Sequence, residues 1–398
     1  MFQRLKVLLL ASSCTGAALG CSPKIVDLGN NGSDQILGGK ADTDAGNPND
    51  TSRAVFRIVD NLDGNCGLVF NVRDGQLYWL TGVGASYAVL QLNRCDIEDC
   101  NSTLANLANV VVPTLGSCDY MTDALQIDGA FIYWAVNNGR WQHFLVQDTT
   151  GAQTSQIVVP ENFQRVLPDS GRLYTATSDN LVETCLAADC GNSVVRFSNF
   201  PPVDLAEATW SRQVATADAE DLYLSEGNPS SDQSRLLRGP KSMLGPFTVV
   251  AEGTNSDNFS GVAISAANAY WLEPEITGQV KTCPISGCSG KPRILAQGFT
   301  QPTEIAVDES HIYVLESPQW AVIDPFATLP TSQLVHSGHV LRCPIDGCEA
   351  PDILFSSGDE TVLSNLVLDD RFVYFSGRTV ALDSGNVQSY IGAIQKNP

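Results

Sequence analysis

From residue 53 onward, short apolar runs alternate with polar breaks every few residues, the pattern of strands joined by tight turns. One element recurs: an apolar residue, a tyrosine, then a residue that is usually bulky or β-branched. It appears as Leu77-Tyr78-Trp79, Ile132-Tyr133-Trp134, Leu173-Tyr174-Thr175 and Leu222-Tyr223-Leu224, and again as Ala269-Tyr270-Trp271, Ile312-Tyr313-Val314 and Val373-Tyr374-Phe375. Successive tyrosines lie 55, 41, 49, 47, 43 and 61 residues apart. An aspartate stands five positions ahead of the tyrosine at Asp128, Asp169, Asp218, Asp308 and Asp369; Asp74 is one position closer, and Ser265 takes the place in the fifth unit. An apolar strand therefore ends at the Asp, whose side chain caps a turn, and the chain returns as the aromatic strand. A loop, a third strand, a turn and a fourth apolar strand follow. Four strands repeated at this period predict an all-β fold, a seven-bladed β-propeller of four-stranded blades over residues 53–398. The last unit is one strand short, and Ala54–Val59 is a strand with no unit of its own. Ring closure by this N-terminal strand completes every blade.

The hydropathy changes character at the start of the chain. Arg4 and Lys6 precede an apolar stretch from Val7, and small residues continue to Gly20, which together read as a secretory signal peptide over 1–20. Ala18-Leu19-Gly20-Cys21 resembles a lipobox, which implies a lipoprotein cleaved before Cys21 and lipidated there. Leu is usual where Ala18 stands; Cys14 competes, but after a much shorter apolar stretch. Residues 21–52 carry no periodicity and read as a flexible tether rich in Gly, Asn and Asp. Within it Asp42, Asp44, Gly46 and Asp50 approximate a loop that wraps calcium, although a carboxylate is missing where Gly46 stands. A solvated acidic linker is the simpler reading. No cofactor is expected, and a divalent cation such as calcium is compatible with the sequence.

Composition narrows the partners. The formal charge is −21, largely because Lys and Arg are scarce. Such a surface repels phosphate backbones, so nucleic-acid binding is not expected. Membrane contact is expected through the N-terminal lipid only, with a monomer in the cell envelope.

Four cysteine pairs share the spacing Cys-x4-Cys: Cys95 and Cys100, Cys185 and Cys190, Cys283 and Cys288, and Cys343 and Cys348. Each falls where a third strand turns into a fourth. Facing positions of a hairpin bring Cα atoms to about 4.5 Å, inside the range of a disulfide. Each bridge then contributes roughly 2 kcal/mol in the chain-entropy model. Zinc is the competing reading, but export and the scatter of the pairs over different units disfavour it. Cys66 and Cys118 remain, near the starts of the first two units, and are expected to form a fifth bridge.

Nucleophile elbows, phosphate loops and His-Glu-x-x-His are absent. His336 and His339 have a spacing that metals use, but they sit in the long loop of the sixth unit without a nearby Cys or carboxylate cluster, which favours an exposed loop. Repetition of the tyrosines, with Trp79, Trp134 and Trp271, points to packing between sheets and not to a carbohydrate platform.

The Asp-turn-apolar-Tyr-Trp element resembles the YWTD and NHL families of propeller repeats, with Cys-Pro-x-x-Gly-Cys hairpins like those of bacterial surface lipoproteins. The Thr and Asp of the YWTD tetrad are missing after Trp79, Trp134 and Trp271. That resemblance implies binding of a protein or envelope ligand through loops on one face. The expected function is thus a non-enzymatic binding scaffold. The alternative is a metal-dependent propeller enzyme of lactonase, hydrolase or lyase type, with a site at the channel mouth.

Overall fold

The computed structural model describes residues 55–396 except 64–67, 84–88, 112–124, 130, 137–139, 146–152, 158–162, 178–180, 199, 202–210, 229–232, 243–244, 254–258, 274–277, 289–291, 318–319, 323–331, 335–336, 359–360 and 381–386. The signal peptide, Cys21, the tether with its candidate calcium loop, Cys66 and Cys118 lie outside the described residues, as does His336.

Among the described residues the strands form seven four-stranded antiparallel sheets and one two-stranded ribbon. Blade 1 spans 69–111, blade 2 125–157, blade 3 163–196, blade 4 211–253, blade 5 260–299 and blade 6 302–356. Blade 7 takes three strands from 361–395 and its outer strand from Val55–Asp63, which pairs with Val387–Gln395 so that Val55 faces Ile394. The first strands of successive blades touch in order, and the first strand of blade 7 touches that of blade 1. This is a β-propeller, a ring of sheets around a central channel. The ribbon, Trp320–Val322 with Ser332–Leu334, lies in the long segment of blade 6 that the sequence marks only as a loop.

Each second strand is covered on both faces by neighbouring blades, so polar alternation fails there and a continuous apolar run appears instead. Every residue of Asp221–Asn228 is buried, and so are the seven motif tyrosines. The core is accordingly divided among the seams. Tyr174 and Phe197 of blade 3, for example, pack with Leu222, Leu237 and Phe247 of blade 4.

The turns between first and second strands fall into two kinds. In blades 4, 6 and 7 the motif Asp acts as expected: Asp308 Oδ1 accepts from the backbone N–H of Ser310 at 2.9 Å and of His311 at 2.8 Å. Its Oδ2 accepts from the Tyr313 hydroxyl at 3.0 Å, five residues on. Asp218 with Tyr223 and Asp369 with Tyr374 repeat this at 2.8 and 2.6 Å. The cap expectation needs correction in blades 1 and 3, where two residues at positive φ make the turn: Asp74 and Gly75 at 50° and 73°, Ser170 and Gly171 at 51° and 75°. There the backbone closes the turn, and the aspartates serve other partners. Asp128 of blade 2 accepts from Gly171 N–H of blade 3 at 2.7 Å.

Candidate functional site

Strand connectivity sorts the chemistry by end. The Asp turns and the cysteine loops share one end of the ring, while the connections from second to third strand and from blade to blade share the other. All four Cys-x4-Cys pairs are disulfides, with Cα separations of 4.8, 4.8, 5.4 and 5.7 Å in chain order. Their expected geometry is corrected. The second cysteine does not face the first across a strand ladder: Cys95 faces Leu77 on the second strand, and Cys100 precedes the fourth strand, Ala105–Val111. Each bridge therefore closes a compact loop.

Those loops seat an apolar residue in the seam with the preceding blade. The residue two past the first cysteine donates its N–H to the first turn of its own blade: Ile97 to Gly75, Ala187 to Gly171, Ile285 to Ala267 and Ile345 to Ser310, at 2.8–3.0 Å. Blades 2, 4 and 7 lack cysteines, and in blades 4 and 7 Lys241 and Lys396 make the same backbone bond, to Glu220 and Arg371. The side chains of both lysines turn back to the motif Asp of the preceding blade, Lys241 to Asp169 at 2.5 Å and Lys396 to Asp308 at 2.9 Å. Burial works against the ionised form of Asp308. Hydrogen bonds from Lys396, Ser310 and His311 outweigh it and hold the carboxyl well below the usual carboxylate range. In the facing sense, burial and then the Asp369 hydrogen bond push the Tyr374 phenol far above its ordinary value. Burial, with the charge of Asp128 behind it, pushes Tyr133 up to about 12.

At the axis, the first strands of six blades line a cavity of about 480 Å³. Its polar lining includes Asn71, Gln126, Gln213, Thr303, Glu304 and Asn365, and Glu304 is the one charged side chain among the described lining residues. Bulges bring several of these residues inward: the register slips at Ala215, Gly261, Thr303 and the pair Asn365–Leu366. Asn365 sits at φ 56°. The Glu304 carboxylate of blade 6 accepts from both freed backbone N–H groups of blade 7, Asn365 on one oxygen and Leu366 on the other, each at 2.7 Å. Asn365 donates onward to Leu68 O at 2.6 Å, beside blade 1, and Asn71 of blade 1 donates to Leu125 O of blade 2 at 2.9 Å. These three side chains bind successive blades to one another. Chemically the cavity offers amides and hydroxyls around an already engaged carboxylate, a set suited to hydrogen bonding.

A second hollow, about 680 Å³, lies between blades 7 and 1 at the turn end, lined by Asp74, Asp96, Glu98, Asp99, Asp369 and Asp370 with Arg371 among them. Much of this acidic set is engaged locally: Glu98 bonds Arg371 at 2.9 Å, Asp369 caps its turn, and Asp99 accepts from Ser102 N–H at 3.3 Å. Among the described residues no group of three or more His, Cys, Asp or Glu is arranged to hold a metal ion. His339 departs from the expectation of an exposed loop. It opens the third strand of blade 6, partly buried, with Nδ1 3.0 Å from Glu316 Oε2. His311 opens the second strand of blade 6, with its ring Nδ1 2.7 Å from the Ser310 hydroxyl. Trp79 and Trp271 are core residues. Sequence reasoning missed Glu304 and Asn365, because their role depends on bulges that no spacing announces.

No protein-family model matches the chain, and no curated protein matches it. Similar solved structures include the β-propeller domain of Cps50 (Swd1) from Myceliophteria thermophila, 7% identical, with TM-score 0.49 over 83% of this chain and 99% of that one. BamB from Moraxella catarrhalis is 14% identical, with TM-score 0.43 over 86% and 97%. At these values neither bears on function, and the propeller assignment stands on the sheets themselves.

Proposed function

We propose that the chain is an exported, lipid-anchored envelope protein whose propeller serves as a binding scaffold for a protein or envelope ligand. The observation that carries this reading is the set of four disulfides, one in each of four blades, which belong to an oxidising compartment. The leader and the Ala18–Cys21 segment supply the route there and the anchor. The channel supports a scaffold in a second way: Glu304, Asn365 and Asn71 are spent on holding blades together, which leaves ligand contact to the loops.

The test compares the full chain with Cys21→Ala in living cells. Labelled palmitate is expected to enter the first and not the second. Cross-linking on intact cells, read by mass spectrometry, is expected to give the same envelope partner at stoichiometric yield from the first and little from the second. Labelling of both forms would overturn the anchor. Divalent-metal-dependent turnover of a lactone or ester by purified protein, abolished by Glu304→Gln, would overturn the scaffold in favour of an enzyme.

A further inference from the structure

In four blades the outer strand carries a bulge at one fixed place. The register slips at Leu107 in blade 1, Val250 in blade 4, Leu295 in blade 5 and Leu354 in blade 6. The closing strand of blade 7 slips at Ile58, which is the same place. Phe56 there faces Ala393, the partner of Tyr374, just as Thr248 faces Arg238, the partner of Tyr223.

Onto the bulges of blades 4 and 5 the next blade lowers its disulfide loop. Cys288 N–H donates to Val250 O at 2.9 Å, and Cys348 N–H donates to Leu295 O at 3.3 Å. Ile285 packs in one cluster with Val250, and Ile345 in one with Leu295. The closing strand meets the corresponding element of blade 1. Ile97, Cys95 and Cys100 share a buried cluster with Ile58 and Val59. Beside Ile97, Glu98 crosses the same seam to Arg371 of blade 7.

We propose that the Cys95–Cys100 loop is the clasp of the ring, so that the hold on the closing strand depends on this one disulfide. Every other outer strand follows its own blade in sequence and is retained by the turn before it. Val55–Asp63 has no such turn, because the strand it pairs with lies at the far end of the chain. Its first residue, Val55, shares a buried cluster with Leu315 and Leu354 of blade 6; the strand is otherwise retained by its hydrogen bonds to Val387–Gln395 on one side and by the loop that presses on its bulge. Opening the disulfide frees Ile97 to leave the seam and removes the restraint on the bulge. Whatever precedes Val55 joins the ring through this strand, so a pull on the N-terminal segment is resisted first by the clasp. In that last respect the inference rests on the lipid anchor proposed above; the clasp itself does not.

Hydrogen exchange followed by mass spectrometry on the full chain tests it. In Cys95→Ala/Cys100→Ala, amides of residues 55–63 are expected to exchange on the order of tenfold faster, with blades 3 to 5 unchanged. In Cys283→Ala/Cys288→Ala, residues 55–63 are expected to keep their wild-type rate. Ile97→Ala, with the bridge intact, is expected to give a smaller acceleration confined to residues 55–63 and their partners 387–395. Unchanged exchange over 55–63 in the first variant overturns the clasp. Equal acceleration in every blade overturns it too, since the loop then stabilises the ring as a whole. Repeating the comparison in a Cys21→Ala background is expected to give the same result, which separates failure of the clasp from failure of the anchor.

Discussion

The pairing of Lys396 with Asp308 yields a quantitative prediction. The ammonium is almost fully buried, with its side chain 7% exposed, while the carboxylate is 24% exposed. Asp308→Asn removes the charge that faces Lys396. It keeps an oxygen for the backbone N–H groups of Ser310 and His311, and so isolates the ion pair from the turn cap. Leaving a buried cation unpaired costs about 3–5 kcal/mol. Lys396→Met removes the cation instead, and Asp308 keeps two backbone donors and the Tyr313 hydroxyl, so about 1–2 kcal/mol is expected. In the double variant neither charge is stranded. The double-mutant cycle is therefore expected to show a coupling of about 2 kcal/mol, within the range for contacting pairs. Urea unfolding measures it, provided the m values agree across the four proteins. The pH dependence has a fixed sign. The folded-state pKa of Asp308 is depressed, so its contribution is complete above the ordinary carboxylate value of 3.8 and is lost as pH falls below it. The gap between wild type and Asp308→Asn should narrow in acid. Additive single effects, with coupling under about 0.5 kcal/mol, would refute the reasoning.

Three further outcomes are expected. Tyr270 in blade 5 follows Ser265 where other blades have Asp, and its buried hydroxyl makes no hydrogen bond among the described residues, whereas Tyr313 and Tyr374 each bond a carboxylate. Tyr270→Phe should leave the urea midpoint unchanged or raise it, while Tyr313→Phe and Tyr374→Phe each lose about 1 kcal/mol. Glu304→Ala should strand two backbone N–H groups of the blade 7 bulge, costing about 2–4 kcal/mol and raising amide exchange at Asn365 and Leu366; Glu304→Gln, which keeps one acceptor, should cost less. Alkaline unfolding should come from the tyrosines. A phenol whose folded pKa is raised contributes stability that is complete below the unfolded value of 10.0 and disappears as pH climbs, through about 12 for Tyr133; titration followed at 295 nm should coincide with loss of the fold.

The blades were legible in the sequence because they rest on local, repeated chemistry. A tyrosine flanked by apolar residues marks a strand covered on both faces, and the Asp five positions earlier marks the turn that feeds it. Closure by Ala54–Val59 was legible by counting strands, and the four bridges by their spacing. What stayed hidden is long-range. Glu304 looks like any strand glutamate until a double bulge in blade 7 turns two N–H groups toward it. His339 read as part of a loop because its partner, Glu316, lies a whole insertion away. The disulfide loops were placed on the right turns but given cross-strand geometry. Spacing fixes which cysteines meet, and it does not fix how the loop leans on the neighbouring blade.

That neighbour also accounts for Ser265 in the Asp series. A lysine that reaches back across a seam requires a carboxylate in the preceding turn, and Asp169 and Asp308 meet Lys241 and Lys396. An apolar residue in the lysine's place makes no such demand. Ser265 precedes the blade whose seam residue is Ile345, and its hydroxyl still caps the turn by accepting from Asn268 N–H at 3.2 Å. Asp308 thus answers two requirements, a turn cap and a cation, and serine suffices where only the first applies. Exchange of the devices follows as a test. Ile345→Lys alone places an ammonium in a partly apolar seam opposite a hydroxyl and should cost about 2–3 kcal/mol. Adding Ser265→Asp supplies the acceptor and should recover about 2 kcal/mol of this, while giving Tyr270 the partner it lacks. Urea midpoints of the four proteins decide the matter. If Ser265→Asp stabilises the Ile345→Lys protein no more than it stabilises wild type, lysine and carboxylate do not meet across that seam, and the equivalence of seam positions drawn from the backbone bonds is wrong.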